Sequence, residues 1–161
     1  MYSVKIYGAG SIGNHLSYAC RNKDWDVTVC DIDESALSRM KNDIYPDRYG
    51  KWDNEIVLTH NEQVIDNYYD VVIVGTPPET HIPIALEELE SKNPPKILMV
   101  EKPLGTPDLK GCQELLDMSK EKDVLVLCGY NHTLTDNTIQ SEKLINKGII
   151  GDCKSLHVQW T

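Results

Sequence analysis

A glycine-spaced turn, Gly8-Ala9-Gly10-Ser11-Ile12-Gly13, stands directly behind a short apolar strand, Val4 to Tyr7, and directly ahead of an amphipathic helix. No other stretch constrains the chain as much. The spacing G-x-G-x-x-G between a strand and a helix is what a dinucleotide pyrophosphate needs. Gly8 allows the tight turn, Gly10 leaves room for phosphate to approach the backbone, and Gly13 lets the helix pack hard on the strand. The free N–H groups of Ser11 and Ile12, at the positive end of the helix, then face the anion. The alternative at this point is a glycine-rich turn with no ligand.

The following stretches read as support for that turn. The helix from Ser11 to Lys23 is expected to cover the sheet with Ile12, Leu16, Ala19 and Cys20. A second strand, Trp25 to Asp31, ends in an acid eighteen residues after Gly13. An acid there accepts hydrogen bonds from the ribose hydroxyls of a dinucleotide. Otherwise Asp31 caps the next turn, although Asp33 is better placed to cap the helix Glu34 to Lys41. Asp31, Asp33 and Glu34 make the site acidic, which favours NAD over NADP, because a 2′-phosphate would meet carboxylates. Residues 42–55 lack a clear period and read as an irregular insertion, in part helical, or as a solvated connection. A weak strand, Ile56 to Thr59, and a short helix, Asn61 to Asp66, are expected next.

The run Asp70 to Gly75 is β-branched and continuous, the pattern of a buried parallel strand. Thr76-Pro77-Pro78 turns the chain out of the sheet on the cofactor side, and a helix continues to Ser91 with Ile82, Ala85, Leu86 and Leu89 inward. His81 either contacts the ligand or simply sits at the helix start. A fifth strand, Lys96 to Val100, ends at Glu101-Lys102-Pro103. Thr106-Pro107 reads as N-cap and first residue of a helix that buries Cys112, Leu115, Leu116 and Ser119. A sixth strand, Val124 to Cys128, leads to Gly129-Tyr130-Asn131-His132. Thr135 or Asp136 caps a last helix ending near Gly148, and Cys153 to Thr161 alternates like a half-buried strand. The fold class is therefore α/β, a doubly wound and mostly parallel sheet.

The net charge of −9 argues against general nucleic-acid or anionic-membrane binding. No run is long and apolar enough to cross a bilayer, and no secretory signal precedes the first strand. The five cysteines form no C-x-x-C and are odd in number, so reduced thiols in a cytoplasmic protein are expected. No His, Cys and Asp set has metal-ligand spacing, so no metal is expected.

GAGSIG, Asp31, GTPPETH, EKPLG, GYNH and LINKGIIGD agree in order and position, and together the chain resembles the Gfo/Idh/MocA family of oxidoreductases. Residues 42–55 carry no part of the likeness. The resemblance implies a Rossmann domain over residues 1–130 that binds NAD or NADP. It also implies a linking helix and first strand of an α+β substrate domain over 131–161. Family members transfer a hydride between a nicotinamide cofactor and a hydroxyl carbon of a sugar, cyclitol or related molecule. By that likeness Lys102 is catalytic and near the nicotinamide, Glu101 orders its turn, and the Lys102–Pro103 bond is cis. Thr76, Pro77, Pro78 and His81 line the cofactor, and Asn131 sits at the substrate edge. Where the family often has arginine, His132 is given no role.

Family members are roughly twice this length, in keeping with two domains of ordinary size. The chain thus reads as the cofactor domain of a larger enzyme, truncated within the first strand of the second domain, with the downstream catalytic histidine beyond Thr161. A non-catalytic NAD-sensing or scaffold module is the alternative. A homodimer through the C-terminal strand is expected, because Leu156, Val158 and Trp160 would form an orphan apolar edge.

Overall fold

The computed structural model describes residues 1–60, 67–149, 151–155 and 157. The chain divides into two compact units, Met1–Gly129 and Tyr130–Thr161. In the first, β1 (Ser3–Tyr7), α1 (Ser11–Arg21), β2 (Asp26–Asp31), α2 (Glu34–Arg39), α3 (Tyr45–Tyr49) and β3 (Val57–His60) form one half. The other half is β4 (Val71–Val74), α4 (Pro78–Glu90), β5 (Ile97–Val100), α5 (Cys112–Glu121) and β6 (Leu125–Cys128). The strands pair in parallel in the order β3-β2-β1-β4-β5-β6. This order reverses direction between β1 and β4, which opens a crevice above their carboxyl ends.

The period of two along each strand sorts the side chains into two cores. Val4, Ile6, Val27, Val29, Val71 and Ile73 face one layer with Cys20, Ala36, Leu37, Met40 and Tyr45. Tyr7, Cys30, Val72, Val74, Leu98 and Val100 face the other with Ile82, Ala85, Leu89 and Leu115. Helices therefore cover both faces, as near-continuous apolar parallel strands require.

Lys5 shares its face of β1 with Tyr7, and its side chain is wholly buried. Its Nζ lies 2.6 Å from Glu88 Oε1 on α4, itself only 2 % exposed. The Tyr7 hydroxyl donates to the same oxygen. The ammonium also stands 5.2 and 5.1 Å from the ring centres of Tyr7 and Tyr69, within cation–π range. Burial and the Glu88 carboxylate push the Tyr7 phenol far above its ordinary range. A charged pair with its remaining polar valences met can persist in the interior, whereas either member alone cannot.

Several sequence expectations change. Residues 42–55 are helical as far as Tyr49 and run through bends and a turn from Gly50 to Glu55, so the partly helical reading describes the segment. The backbone runs from α2 through a π-helical stretch, Met40–Ile44, straight into α3. Pro46 lacks an N–H and crowds the preceding turn, and the wider π turn, with Tyr45 N–H bonded to Met40 O, accommodates it. α3 is clipped to α1 by stacking of Tyr49 on Tyr18, with ring centres 3.8 Å apart, and the loop after α3 is tied to α1 by an Arg21–Asp53 ion pair at 2.9 Å. The buried face of α1 is Gly13, Asn14, Ser17 and Cys20, whereas Ile12 and Ala19 are exposed and Leu16 is half-buried. α5 starts at Cys112, not at Pro107, because Thr106 to Lys110 form a turn in which Leu109 has φ +56°. Leu116 is exposed rather than inward.

In the second unit a 3₁₀ turn, Asn131–Leu134, precedes α6 (Asp136–Asn146). Thr135 caps it, accepting the Thr138 N–H. Gly148, at φ +67°, ends it in a Schellman arrangement, with Gly148 N–H on Ile145 O and Ile149 N–H on Leu144 O. The expected helix Asn61 to Asp66 lies outside the described residues, as do Leu156, Val158 and Trp160 of the expected terminal strand. Among the described residues all five cysteines are free, and no helix is long and apolar enough to cross a membrane.

Removing one member of the buried pair strands the other. Glu88→Ala is expected to cost about 3–5 kcal/mol in urea unfolding. Lys5→Met combined with Glu88→Leu is expected to cost less than Glu88→Ala alone, since no charge is then left in the core.

Candidate functional site: the crevice above β1 and β4

The glycine turn is built by two close approaches. A Cβ on Gly13 would fall 1.9 Å from Gly8 O, so α1 begins directly on the end of β1. Gly8 has φ +101°, and a Cβ there would meet Gly75 O at 2.9 Å, at the end of β4. Gly10 differs from both: its backbone is extended, with φ −77°, and a Cβ would meet nothing within 4 Å. Asn14 steadies the turn, its Nδ2 donating to Ala9 O and Gly10 O. No side chain caps the first turn of α1, so its N–H groups are left for a ligand or water.

The turn opens on a crevice of about 600 Å³. Gly8, Gly10, Ser11, Ile12, Asp31, Thr76 and Pro77, all named from the sequence, line it together. Ile12, 40 % exposed, points into this space rather than onto the sheet. Asp31 Oδ2 accepts the Ala9 N–H at 2.8 Å, and Oδ1 accepts the Asp33 N–H at 2.9 Å. Asp31 thus caps the next turn and ties the glycine turn to β2, and it keeps acceptor positions free for a ribose. Asp33 caps α2 through Ser35 N–H and Oγ. Those bonds hold its carboxyl below the usual range, so it is charged at neutral pH. Arg39, from the last turn of α2, lines the same crevice, as do Ile32, Ala36 and Thr80. Of these, Arg39 is the nearest arginine after β2 in the sequence, where the acids read as uncompensated; its place on the crevice lining supplies a positive charge beside them.

Gly13, Pro78, His81, Glu101 and Lys102 do not line this crevice. His81, 1 % exposed, joins two turns: Nδ1 lies 2.8 Å from Pro103 O and Nε2 2.6 Å from Thr76 O. His81 lies in the first turn of α4 and braces the turn after β4 against the turn after β5. Both partners only accept, so a neutral ring serves one at a time. Lys102 follows β5 and is exposed, its Lys102–Pro103 bond is cis, and its N–H donates to Glu101 Oε2 at 3.3 Å. Asn131 belongs to the second unit and is exposed there. Among the described residues no cluster of three His, Cys, Asp or Glu side chains could hold a metal ion.

The residues present fit a dinucleotide: an open cradle at Gly10, an uncapped helix start and an acid after β2. With the strand order, they define a Rossmann-type nucleotide-binding domain. Residues 2–130 match the family model described as oxidoreductase family, NAD-binding Rossmann fold, and the chain belongs to this Gfo/Idh/MocA family. Similar solved structures include myo-inositol 2-dehydrogenase of Lactobacillus plantarum, at 22 % identity and TM-score 0.72 over 93 % of this chain and 42 % of that one. Myo-inositol dehydrogenase of Lactobacillus casei, in complex with NAD(H) and myo-inositol, shares 19 % identity and TM-score 0.72 over 94 % and 43 %. Biliverdin reductase of Synechocystis, with biliverdin and NADP⁺, shares 17 % identity and TM-score 0.66 over 92 % and 42 %. At such identities the likeness is one of fold. The chain spans well under half the length of each. No curated protein matches it.

Cofactor space and packing are separable at the three glycines. Gly10→Ala should leave the thermal midpoint nearly unchanged, because its Cβ enters open space, and should weaken NAD binding at least tenfold by titration calorimetry. Gly13→Ala should lower the midpoint sharply, because its Cβ overlaps the Gly8 carbonyl.

Proposed function

We propose that the chain is the cofactor half of an NAD-dependent oxidoreductase acting on a hydroxyl carbon of a sugar, cyclitol or related polyol. The observation that carries this reading is the single crevice in which the Gly10 cradle and Asp31 stand together. NAD, when bound, supplies the hydride acceptor or donor of the reaction. Ser11 and Ile12 N–H groups bind the pyrophosphate, and Asp31 takes the adenosine ribose hydroxyls on its free lone pairs. Asp31 and the charged Asp33 disfavour a 2′-phosphate. Arg39 is the crevice group that opposes this preference. Two carboxylates against one guanidinium leave the balance with NAD.

Lys102 is the group of this chain that meets the reacting hydroxyl. An ammonium there stabilises a developing alkoxide or passes its proton on. The support is the position of Lys102 just after β5, in a turn braced by Glu101 and by His81 through Pro103. Glu101 and His81 are positioning residues in this account.

Titration of NAD and NADP into the purified chain tests the cofactor, and tighter NADP binding would reject the NAD preference. Asp31→Ala is expected to weaken NAD by about 1.5–3 kcal/mol for each hydrogen bond lost. A protein whose reading frame extends past Thr161 tests the reaction, by screening polyols with NAD. Lys102→Met there should lower kcat about a hundredfold or more, with NAD affinity nearly unchanged. Full turnover by that variant would remove Lys102 from the reaction.

A further inference from the structure

The helical stretch between β2 and β3 carries none of the family motifs, yet it delivers a guanidinium to the glycine turn. Arg48, on α3, donates from Nη1 to Ser11 O at 3.0 Å and from Nη2 to Ser11 Oγ at 2.8 Å. Ser11 is the first residue of α1 and lines the crevice. Arg48 is not among the residues that line the crevice, but through Ser11 it stands next to the first turn of α1, to whose uncapped N–H groups the pyrophosphate reading assigns the anion. It is exposed, so its remaining N–H donors are open to a ligand.

The surrounding contacts fix its place from three sides. Tyr49 stacks on Tyr18 of α1, Tyr45 packs edge-on against Tyr18 and Tyr49, and the Tyr49 hydroxyl lies 3.1 Å from His15 Nδ1. The Arg21–Asp53 pair closes the far end. A clamp of this kind holds Arg48 against α1 without spending its guanidinium on a carboxylate, since both of its contacts go to neutral oxygens of Ser11. An arginine held on neutral acceptors keeps its charge for an incoming anion.

We infer that Arg48 is a phosphate ligand of the dinucleotide, reaching over Ser11 to pair with the pyrophosphate that the α1 N-terminus binds from below. The inference rests on the cofactor reading above. It makes α3 a second wall of the phosphate site, supplied by a segment that the glycine motif does not specify.

Calorimetric titration of NAD, ADP-ribose and adenosine into the wild-type chain, Arg48→Met and Arg48→Lys tests it. Arg48→Met should weaken NAD and ADP-ribose about ten- to thirtyfold, the loss of one charge-assisted contact, and leave adenosine unchanged. Arg48→Lys should fall between. The affinity of Arg48→Met for NAD should also fall less steeply with added salt. Unchanged NAD affinity in Arg48→Met overturns the inference, and so does an equal loss for adenosine, which would mean a disturbed crevice. Should Arg48→Met unclamp α3, the wild-type chain still decides. NAD should shield Arg48 from phenylglyoxal, read by mass spectrometry, and equal labelling with and without NAD overturns the inference. Wild-type chain that binds none of the three ligands refutes the cofactor reading itself. Binding of all three with Arg48 indifferent refutes only this inference.

Discussion

The site depends on one steric constraint: the start of α1 lies so close to the end of β1 that no side-chain carbon fits at Gly13. That contact fixes where the helix N–H groups stand relative to the sheet. Gly8, pressed against the Gly75 carbonyl, sets the same turn against the end of β4. Two strands that neighbour each other in the sheet thus share one backbone junction. The crevice opens above it because the strand order reverses there. Asp31 adds the third strand through the Ala9 N–H. The phosphate cradle is in this sense a product of backbone packing, and Gly10 is empty because the other two glycines are full.

The buried Lys5–Glu88 pair joins β1 to α4, the helix that begins at the Thr76-Pro77 turn. It therefore links the wall of the crevice opposite α1 to the central strand. A hydrophobic pair of equal volume would bind the two elements as well or better. What the ionic pair adds is register, since a charge in the core has one acceptable partner and a methyl group has many. His81 extends the bracing to the β5 turn, where Lys102 stands.

Most of this was legible in the sequence where residue type and local geometry are the same fact. Short apolar runs bounded by turn residues gave the six strands, with the β-branched run at β4 the plainest of them, and glycine spacing, Asp31 and Thr76-Pro77 gave one wall of the crevice. Legibility ended where distant contacts decide. The face of α1 was misread because Ile12 is apolar but serves the crevice, while small polar Asn14 and Ser17 fill the tight gap against the sheet. Lys5 reads as a surface lysine unless one knows that Glu88 lies across from it, eighty-three residues on. The helical part of residues 42–55 shows no clear period because a π turn and Pro46 shift the phase by a residue. Thr106-Pro107 has the composition of a helix start, but the chain completes a turn there before α5 begins.

The stretch between β2 and β3 bears most on the electrostatics. A chain of net charge −9 repels an anionic cofactor at long range, but salt confines that repulsion to about 8 Å. Attraction must then come from groups in contact with the crevice. The first of these is the N-terminus of α1, which supplies partial positive charge without any basic side chain. The two guanidiniums at or beside the crevice, Arg39 and Arg48, both come from the stretch between β2 and β3. Arg39 shares the crevice lining with the Asp31 and Asp33 carboxylates. Arg48 stands at Ser11, where no carboxylate competes. The α2–α3 stretch therefore supplies positive side chains at two places, Arg39 on the crevice lining and Arg48 at Ser11, while the glycine turn supplies the uncapped helix start.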